Sequence, residues 1–130
     1  AVFFPGVFEI HPDHRKTALL VWKALGKIAD KKKIPVSYEV LVQSPVNRLV
    51  DISAYIERKK SAMQVYASQL EENRYVDIAL ALNKLRTLTL HTDVAFAEGF
   101  CCFEPEDINE ELESILLRKI STLLSPEIRD

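Results

Sequence analysis

The residues best suited to chemistry lie close together near the amino end, in the segment EIHPDHRKT, residues 9–17. Two imidazoles and a carboxylate, from His11, His14 and Asp13, are donors that suit zinc or iron. A helix beginning near Pro12 would bring both histidines to one end of that helix. Catalytic zinc sites use three protein ligands, however, which this segment cannot supply. On spacing alone, the segment could equally be a polar helix start in which Asp13 interacts with the helix dipole.

The elements that would position this segment follow from the apolar pattern. It predicts a buried strand, an amphipathic helix and a second strand, over residues 1–4, 12–32 and 36–42. A strand, a helix and a strand form a βαβ unit with two parallel strands. Ligand sites in such sheets form at the carboxyl ends of the strands. His11 and His14 follow the first strand directly, so they are predicted to lie at such a site.

The second half of the chain is predicted to be mainly helical. Three helices and one late strand are indicated, over 53–70 with Ser53 as the cap, 75–90 and 108–123, and at 100–103. The inward face of the second of these helices is predicted to carry Ile78, Ala79, Leu82 and Leu85. The order of elements predicts a single α/β domain.

A different metal site would combine His11 and Asp13 with the distant His91, as in the facial triad of non-haem iron oxygenases. That site needs a β-rich fold, and the pattern predicts too few strands for one. His91 is interpreted instead as a residue at a helix end, where a cation is favoured.

Composition excludes several partners. Seventeen basic and nineteen acidic residues give a formal charge of −2, so nucleic acid and anionic membrane are not expected to bind. Lys31, Lys32 and Lys33 are predicted to end the first helix. Adjacent cysteines rarely form a disulfide, so Cys101 and Cys102 predict a reducing, cytoplasmic location and buried small side chains, although a metal pair is the alternative. No apolar run is long enough for a membrane span.

Three segments of the sequence, in this order, carry a further pattern: FEIHPDHRKTALLVWKAL from Phe8, VDISAYIERKKSAMQVYASQL from Val50, and AFAEGF from Ala95. Together they resemble the LmbE/PIG-L family of metal-dependent deacetylases, which remove the acetyl group from N-acetylglucosamine-type sugars. The first segment is similar to the second signature of the family. The resemblance implies a Rossmann-like, partly parallel sheet with flanking helices, and zinc-dependent hydrolysis of the N-acetyl amide of a sugar or glycoconjugate.

The resemblance also implies roles for the three residues of the motif. His14 matches the histidine that binds zinc, or alternatively iron(II). His11 matches the histidine that acts as general acid and stabilises the oxyanion, and Asp13 matches the aspartate that holds it. These roles suit the chemistry, because metal-bound water can attack an amide and a protonated imidazole can stabilise the developing negative charge.

One part of the family pattern is absent: the first signature, His-Pro-Asp-Asp, does not occur in residues 1–130. We therefore expect these residues to be the carboxyl-terminal part of a single LmbE-like deacetylase domain whose amino-terminal βα unit is missing. Weak metal binding, negligible activity of this chain alone and self-association through the bared sheet are expected. The alternative is a non-catalytic fragment or degenerate module that acts in assembly or binding.

The other matching residues are interpreted as structural. Lys59 and Gln69 are predicted to be hydrogen-bonding positions, and Glu98 could border the substrate cleft. Asp51 and Ser53 could form part of a nucleophilic triad, but no glycine-flanked turn presents the serine, so a helix cap is favoured.

Overall fold

The computed structural model describes residues 1–28, 32–66 and 74–124, with side chains described as far as residue 120. In chain order the elements are β1 (Val2–Pro5), α1 (Pro12–Lys27), β2 (Pro35–Tyr38), β3 (Arg48–Asp51), a 3-10 helix (Ser53–Tyr55), α2 (Ile56–Gln64), α3 (Tyr75–Leu85), β4 (Ala97–Cys102), a second 3-10 helix (Asp107–Asn109) and α4 (Leu112–Leu124). The predictions for residues 29–31, for Gln69 and Leu70, and for the side chain of Leu123 lie outside this description.

The four strands form one mixed sheet in the order β1-β2-β4-β3. β1 runs parallel to β2, with Phe3 opposite Val36, and β4 runs antiparallel to both β2 and β3. The predicted α/β class and the parallel strand pair of the βαβ unit are therefore confirmed. β3 was not predicted, because RLVD is short and only Leu49 and Val50 in it are apolar.

The core lies between α1, α4 and one face of the sheet. Alternation along β1 buries Phe4 and leaves Phe3 exposed. Phe4, Trp22 and Phe103 form an aromatic cluster, with centroids of Trp22 and Phe103 4.9 Å apart. The indole N–H of Trp22 donates to the Glu110 carbonyl (2.9 Å), so the polar atom of this ring is satisfied. This packing fixes α1 against β1 and thereby sets where its first turn lies.

Several predicted boundaries are wrong. α3 ends at Leu85 and not at residue 90, α4 begins at Leu112 and not at residue 108, and β4 spans Ala97–Cys102 and not residues 100–103. Two further boundaries concern β2 and α1. β2 ends at Tyr38 and does not continue to residue 42, because the backbone N–H groups of Val40, Leu41 and Val42 donate to the carboxylate of Glu9 and not to a neighbouring strand. The second boundary is the end of α1, which lies at Lys27. Lys32 and Lys33 therefore lie beyond the helix and do not end it.

The predicted cap at Ser53 is also wrong. Ser53 begins a 3-10 helix and caps no α-helix; its hydroxyl donates to Asp51 Oδ1 (2.6 Å) and accepts the N–H groups of Ala95 (2.8 Å) and Phe96 (3.1 Å). Ser53 thus joins the end of β3 to the segment that leads into β4. Its hydroxyl, together with its backbone N–H, lowers the pKa of the Asp51 carboxyl.

The inward face of α3 differs from the prediction. Ala79 and Leu82 are buried as predicted, but Ile78 and Leu85 are exposed and Asn83 takes a buried position. Apolar periodicity could not reveal this, since Asn83 is polar and is buried through a hydrogen bond from Lys59 Nζ (2.8 Å).

The two cysteines are free thiols. Cys101 is buried, as predicted, and burial raises the pKa of its thiol to about 11. Cys102 is half-buried. Within the part of the chain that the structure describes, no helix combines the length and apolar character needed to cross a membrane.

Candidate functional site

The histidine segment begins α1 at the carboxyl end of β1. Pro12 is the first helical residue, as the sequence predicts, and His11 is the N-cap, with extended backbone (φ −69°, ψ 126°). The Nδ1 atom of His11 accepts the backbone N–H of Asp13 (3.2 Å), a bond that Ser or Asp usually makes at this position. Because Nδ1 is the acceptor, the neutral ring of His11 carries its proton on Nε2.

His14 lies in the first turn, and its ring centroid is 5.2 Å from that of His11. Its Nδ1 atom is enclosed and is the one buried side-chain nitrogen or oxygen, within the described ranges, that has no hydrogen-bond partner. Such a group costs about 1–3 kcal/mol unless a partner is supplied. An orphaned nitrogen of this kind is a reason to look for an ion or ligand at the site.

Asp13 makes a weaker contact with His11 than the sequence resemblance implies. Its Oδ2 atom is 3.9 Å from His11 Nδ1, which is too long for a hydrogen bond, and both side chains are exposed. In this arrangement the backbone N–H of Asp13 orients His11, while its carboxylate only contributes negative charge nearby.

A cleft of about 600 Å³ opens beside the two histidines. Its described lining residues are His11, His14, Tyr38, Val40, Leu41, Met63, Tyr66 and Tyr75. Tyr38 is the last residue of β2, so the cleft lies at the carboxyl ends of the parallel strands, where the sequence predicts the site. The two aromatic residues Tyr66 and Tyr75 were not predicted to lie here, since nothing local in the sequence connects α2 and α3 with the histidine segment.

Glu9 fixes one wall of this cleft. Its side chain is only 2% exposed, and its carboxylate accepts the N–H groups of Val40 (2.8 Å), Leu41 (3.2 Å) and Val42 (3.4 Å). Arg15 in turn donates to the carbonyls of Glu9 (2.7 Å) and Ile10 (2.5 Å). The loop that lines the cleft is thereby tied to the residues just before His11. Sequence reasoning missed Glu9, because its partners are backbone groups.

A second polar cluster lies near the other side of Tyr38. Lys59 Nζ donates to Glu98 Oε1 (2.5 Å) and to Asn83 Oδ1, which agrees with the structural role predicted for Lys59. Glu98 does not line the main cleft; together with Tyr38 it borders a smaller pocket of about 90 Å³.

Glu39 and Arg86 form a buried ion pair beside this pocket, in which Arg86 Nε donates to Glu39 Oε2 (2.9 Å). Gly99 leaves room for this contact, because a Cβ atom there would lie 2.6 Å from Glu39 Oε2 and would displace that side chain. No sequence signal paired these residues, since 47 positions separate Glu39 from Arg86.

The described residues do not provide a full metal site. In residues 1–28, 32–66 and 74–124 there is no group of three or more His, Cys, Asp or Glu side chains that could hold a metal ion. His14 fits the position of one ligand, because its Nδ1 has no other partner. Two neighbouring imidazoles fall short of the three protein ligands of a catalytic zinc.

Comparison with known proteins adds no identification. No model of a known protein family matches the chain. No solved structure gives a significant match to it.

Proposed function

We propose that this chain carries part of the active site of a metal-dependent amide hydrolase of the LmbE/PIG-L type, which removes the acetyl group from an N-acetylglucosamine-type sugar. The observation that carries the proposal is the unpartnered, enclosed Nδ1 of His14 beside a cleft at the strand ends. The ordered resemblance of three sequence segments supports it independently.

In this proposal His14 is one ligand of zinc or iron(II). The remaining ligands come from polypeptide outside the described residues or from another chain, since the described residues hold no complete set. With His14 as one of its ligands, a bound metal would supply an acidified water molecule and Lewis-acid polarisation of the amide carbonyl. The chain alone is therefore a poor metal site and a negligible hydrolase.

The chain's own residues position and stabilise the amide. His11, the N-cap of α1, presents an exposed imidazole beside His14. When this ring is protonated, Nδ1 no longer accepts the Asp13 N–H, and its new proton lies near the Asp13 carboxylate. The Nε2–H group would then stabilise negative charge on the carbonyl oxygen and protonate the amine. Asp13 supplies negative charge near that ring. Tyr38 and the loop after β2, which is hydrogen-bonded to Glu9, line the cleft in which the substrate lies.

Zinc titration of this chain, followed by the ring resonances of its histidines in NMR spectra, tests the ligand role. We expect weak binding that perturbs His14 and is lost in His14→Ala. His91→Ala is the matched control, because His91 is an exposed histidine that contacts Asp93 (2.6 Å) and does not line the cleft. Binding unchanged in His14→Ala would refute the ligand role, and tight binding by the chain alone would show that the ligand set is misjudged.

Activity is tested in a longer gene product. If the coding sequence before Ala1 encodes a His-Pro-Asp-Asp segment after an apolar strand, that product is expected to hydrolyse N-acetylglucosamine derivatives. Loss of partners around a metal ligand costs about 10–100-fold in affinity or activity, and His14→Ala is expected to cost at least as much. If the longer product folds, binds zinc and hydrolyses none of these amides, the non-catalytic module is the better description.

A further inference from the structure

The cleft beside His11 and His14 has a lining that restricts what can bind in it. Six of its eight described lining residues are apolar or phenolic: Tyr38, Val40, Leu41, Met63, Tyr66 and Tyr75. The other two are the histidines. Within the described lining there is therefore no Lys, Arg, Asp or Glu side chain. Pockets of this kind bind a ligand through apolar and aromatic contact and use few polar groups for orientation.

Three charged groups of the elements around the cleft have partners within the protein. The Glu9 carboxylate accepts hydrogen bonds from N–H groups of the loop after β2, Lys59 pairs with Glu98, and Arg86 pairs with Glu39. None of these cations is directed at a ligand in the cleft, since none lines it. Sites that select carboxylate or phosphate commonly use Arg or Lys for that purpose.

The amino end of α1 could offer an alternative means of holding an anion. Its Asp13 N–H is already taken by the imidazole of His11, and the Asp13 carboxylate places negative charge in the same turn. The exposed Asp13 carboxylate adds negative charge beside this turn, which disfavours an anion at the amino end of α1.

We propose that the cleft binds an uncharged substrate in which an apolar aryl or alkyl group lies next to the amide-bearing ring, and that it discriminates against anionic substrates of the same size. This inference rests on the proposed function, because it names the substrate class of that same site. Tyr66 and Met63 form the apolar side of the cleft, and 68% of Tyr66 is exposed, so its ring is free to stack on an aryl group.

Binding without metal tests this inference separately from catalysis. The chain is labelled at the Met63 methyl group, the one methionine of the sequence, and titrated at pH 8, where imidazole is ordinarily neutral. The probes are phenyl N-acetyl-β-D-glucosaminide and its 4-carboxyphenyl counterpart. We expect the phenyl compound to shift the Met63 resonance and the carboxylate to bind at least about tenfold more weakly.

Variants of two exposed tyrosines provide the matched comparison. Tyr66→Ala is expected to weaken binding of the phenyl compound about two- to twelvefold, the range for loss of one aromatic contact. Tyr55→Ala should leave binding unchanged, since Tyr55 is similarly exposed (63%) and does not line the cleft. Equal affinity for the two probes, or no effect of Tyr66→Ala, would overturn the inference.

A third probe separates this inference from the proposed function. Acetanilide carries the aryl group and the acetamide without a sugar. If acetanilide and the phenyl glycoside bind through Tyr66 with equal affinity, the sugar contributes nothing to binding, so the uncharged substrate class stands and the sugar deacetylase fails. If neither compound perturbs Met63, the inference fails, and the zinc titration of His14 still decides the proposed metal site.

Discussion

The contact of Glu9 with the loop after β2 predicts a measurable loss of stability. Its carboxylate lies out of water and accepts three backbone N–H groups, one at 2.8 Å and two at 3.2 Å or more. A hydrogen bond to a charged group contributes about 1.5–3 kcal/mol, and the two longer contacts are expected to contribute less. In Glu9→Ala, water can reach part of the half-buried loop and hydrogen-bond to its N–H groups, which limits the loss of stability. We therefore expect Glu9→Ala to lower the free energy of unfolding by about 3 kcal/mol.

Glu9→Gln should be intermediate, with a loss of about 1–2 kcal/mol, because the amide oxygen can still accept the Val40 N–H while its NH₂ group faces other donors. Urea unfolding followed by the fluorescence of the buried Trp22 measures both variants. Glu106→Ala is the control, because the Glu106 side chain is exposed.

Amide exchange at Val40 and Val42 checks that the loss arises in this loop. Both amides should exchange faster in Glu9→Ala, whereas the β1–β2 amides should exchange faster only to the extent that global stability falls. A Glu9→Ala protein within about 0.5 kcal/mol of the parent, the range of ordinary surface substitutions, would refute the reasoning. The cleft wall would then be held by other contacts.

Two further predictions concern the sheet. The pKa of Asp51 is lowered in the folded state, so its contribution to stability is present above its unfolded value, near 3.8, and is lost as the pH falls through the folded pKa. Asp51→Asn should therefore destabilise the protein at neutral pH, and its difference from the parent in urea unfolding should shrink below pH 4. β1 is an edge strand and Phe3 is 59% exposed, so self-association is expected in light scattering and should fall in Phe3→Lys; a strictly monomeric parent would contradict this.

The sequence allowed prediction of those parts of the fold that depend on local pattern. The start of α1 at Pro12 and the parallel pairing of the strands on either side of it follow from proline chemistry and apolar spacing. The inward face of α3 did not follow, because the buried position of Asn83 depends on Lys59, which is 24 residues away in sequence. Periodicity assigns such a residue to the surface.

In the candidate site, too, the residues of one local segment could be predicted, whereas those brought together by distant contacts could not. The sequence places His11 and His14 after the first strand, and the structure finds both at the carboxyl end of β1. It gave no indication of Glu9, whose partners are backbone groups. Nor did it indicate the three tyrosines of the cleft, which come from β2, from just beyond α2 and from α3. Contacts of this kind arise only when distant elements pack.

Buried polar side chains elsewhere in the described structure have hydrogen-bond partners, whereas His14 at the carboxyl end of β1 has a buried nitrogen without one. Glu39 is paired with Arg86, Asn83 Oδ1 accepts from Lys59, and the Glu9 carboxylate accepts the N–H groups of the loop after β2, so each of these groups has a partner within the protein. His14 Nδ1 has no such partner within the described part of the chain. A group that donates to this nitrogen or coordinates it would displace no protein contact. Because ligand binding to the folded state adds to stability, a ligand of His14 should raise the free energy of unfolding of the parent but not of His14→Ala.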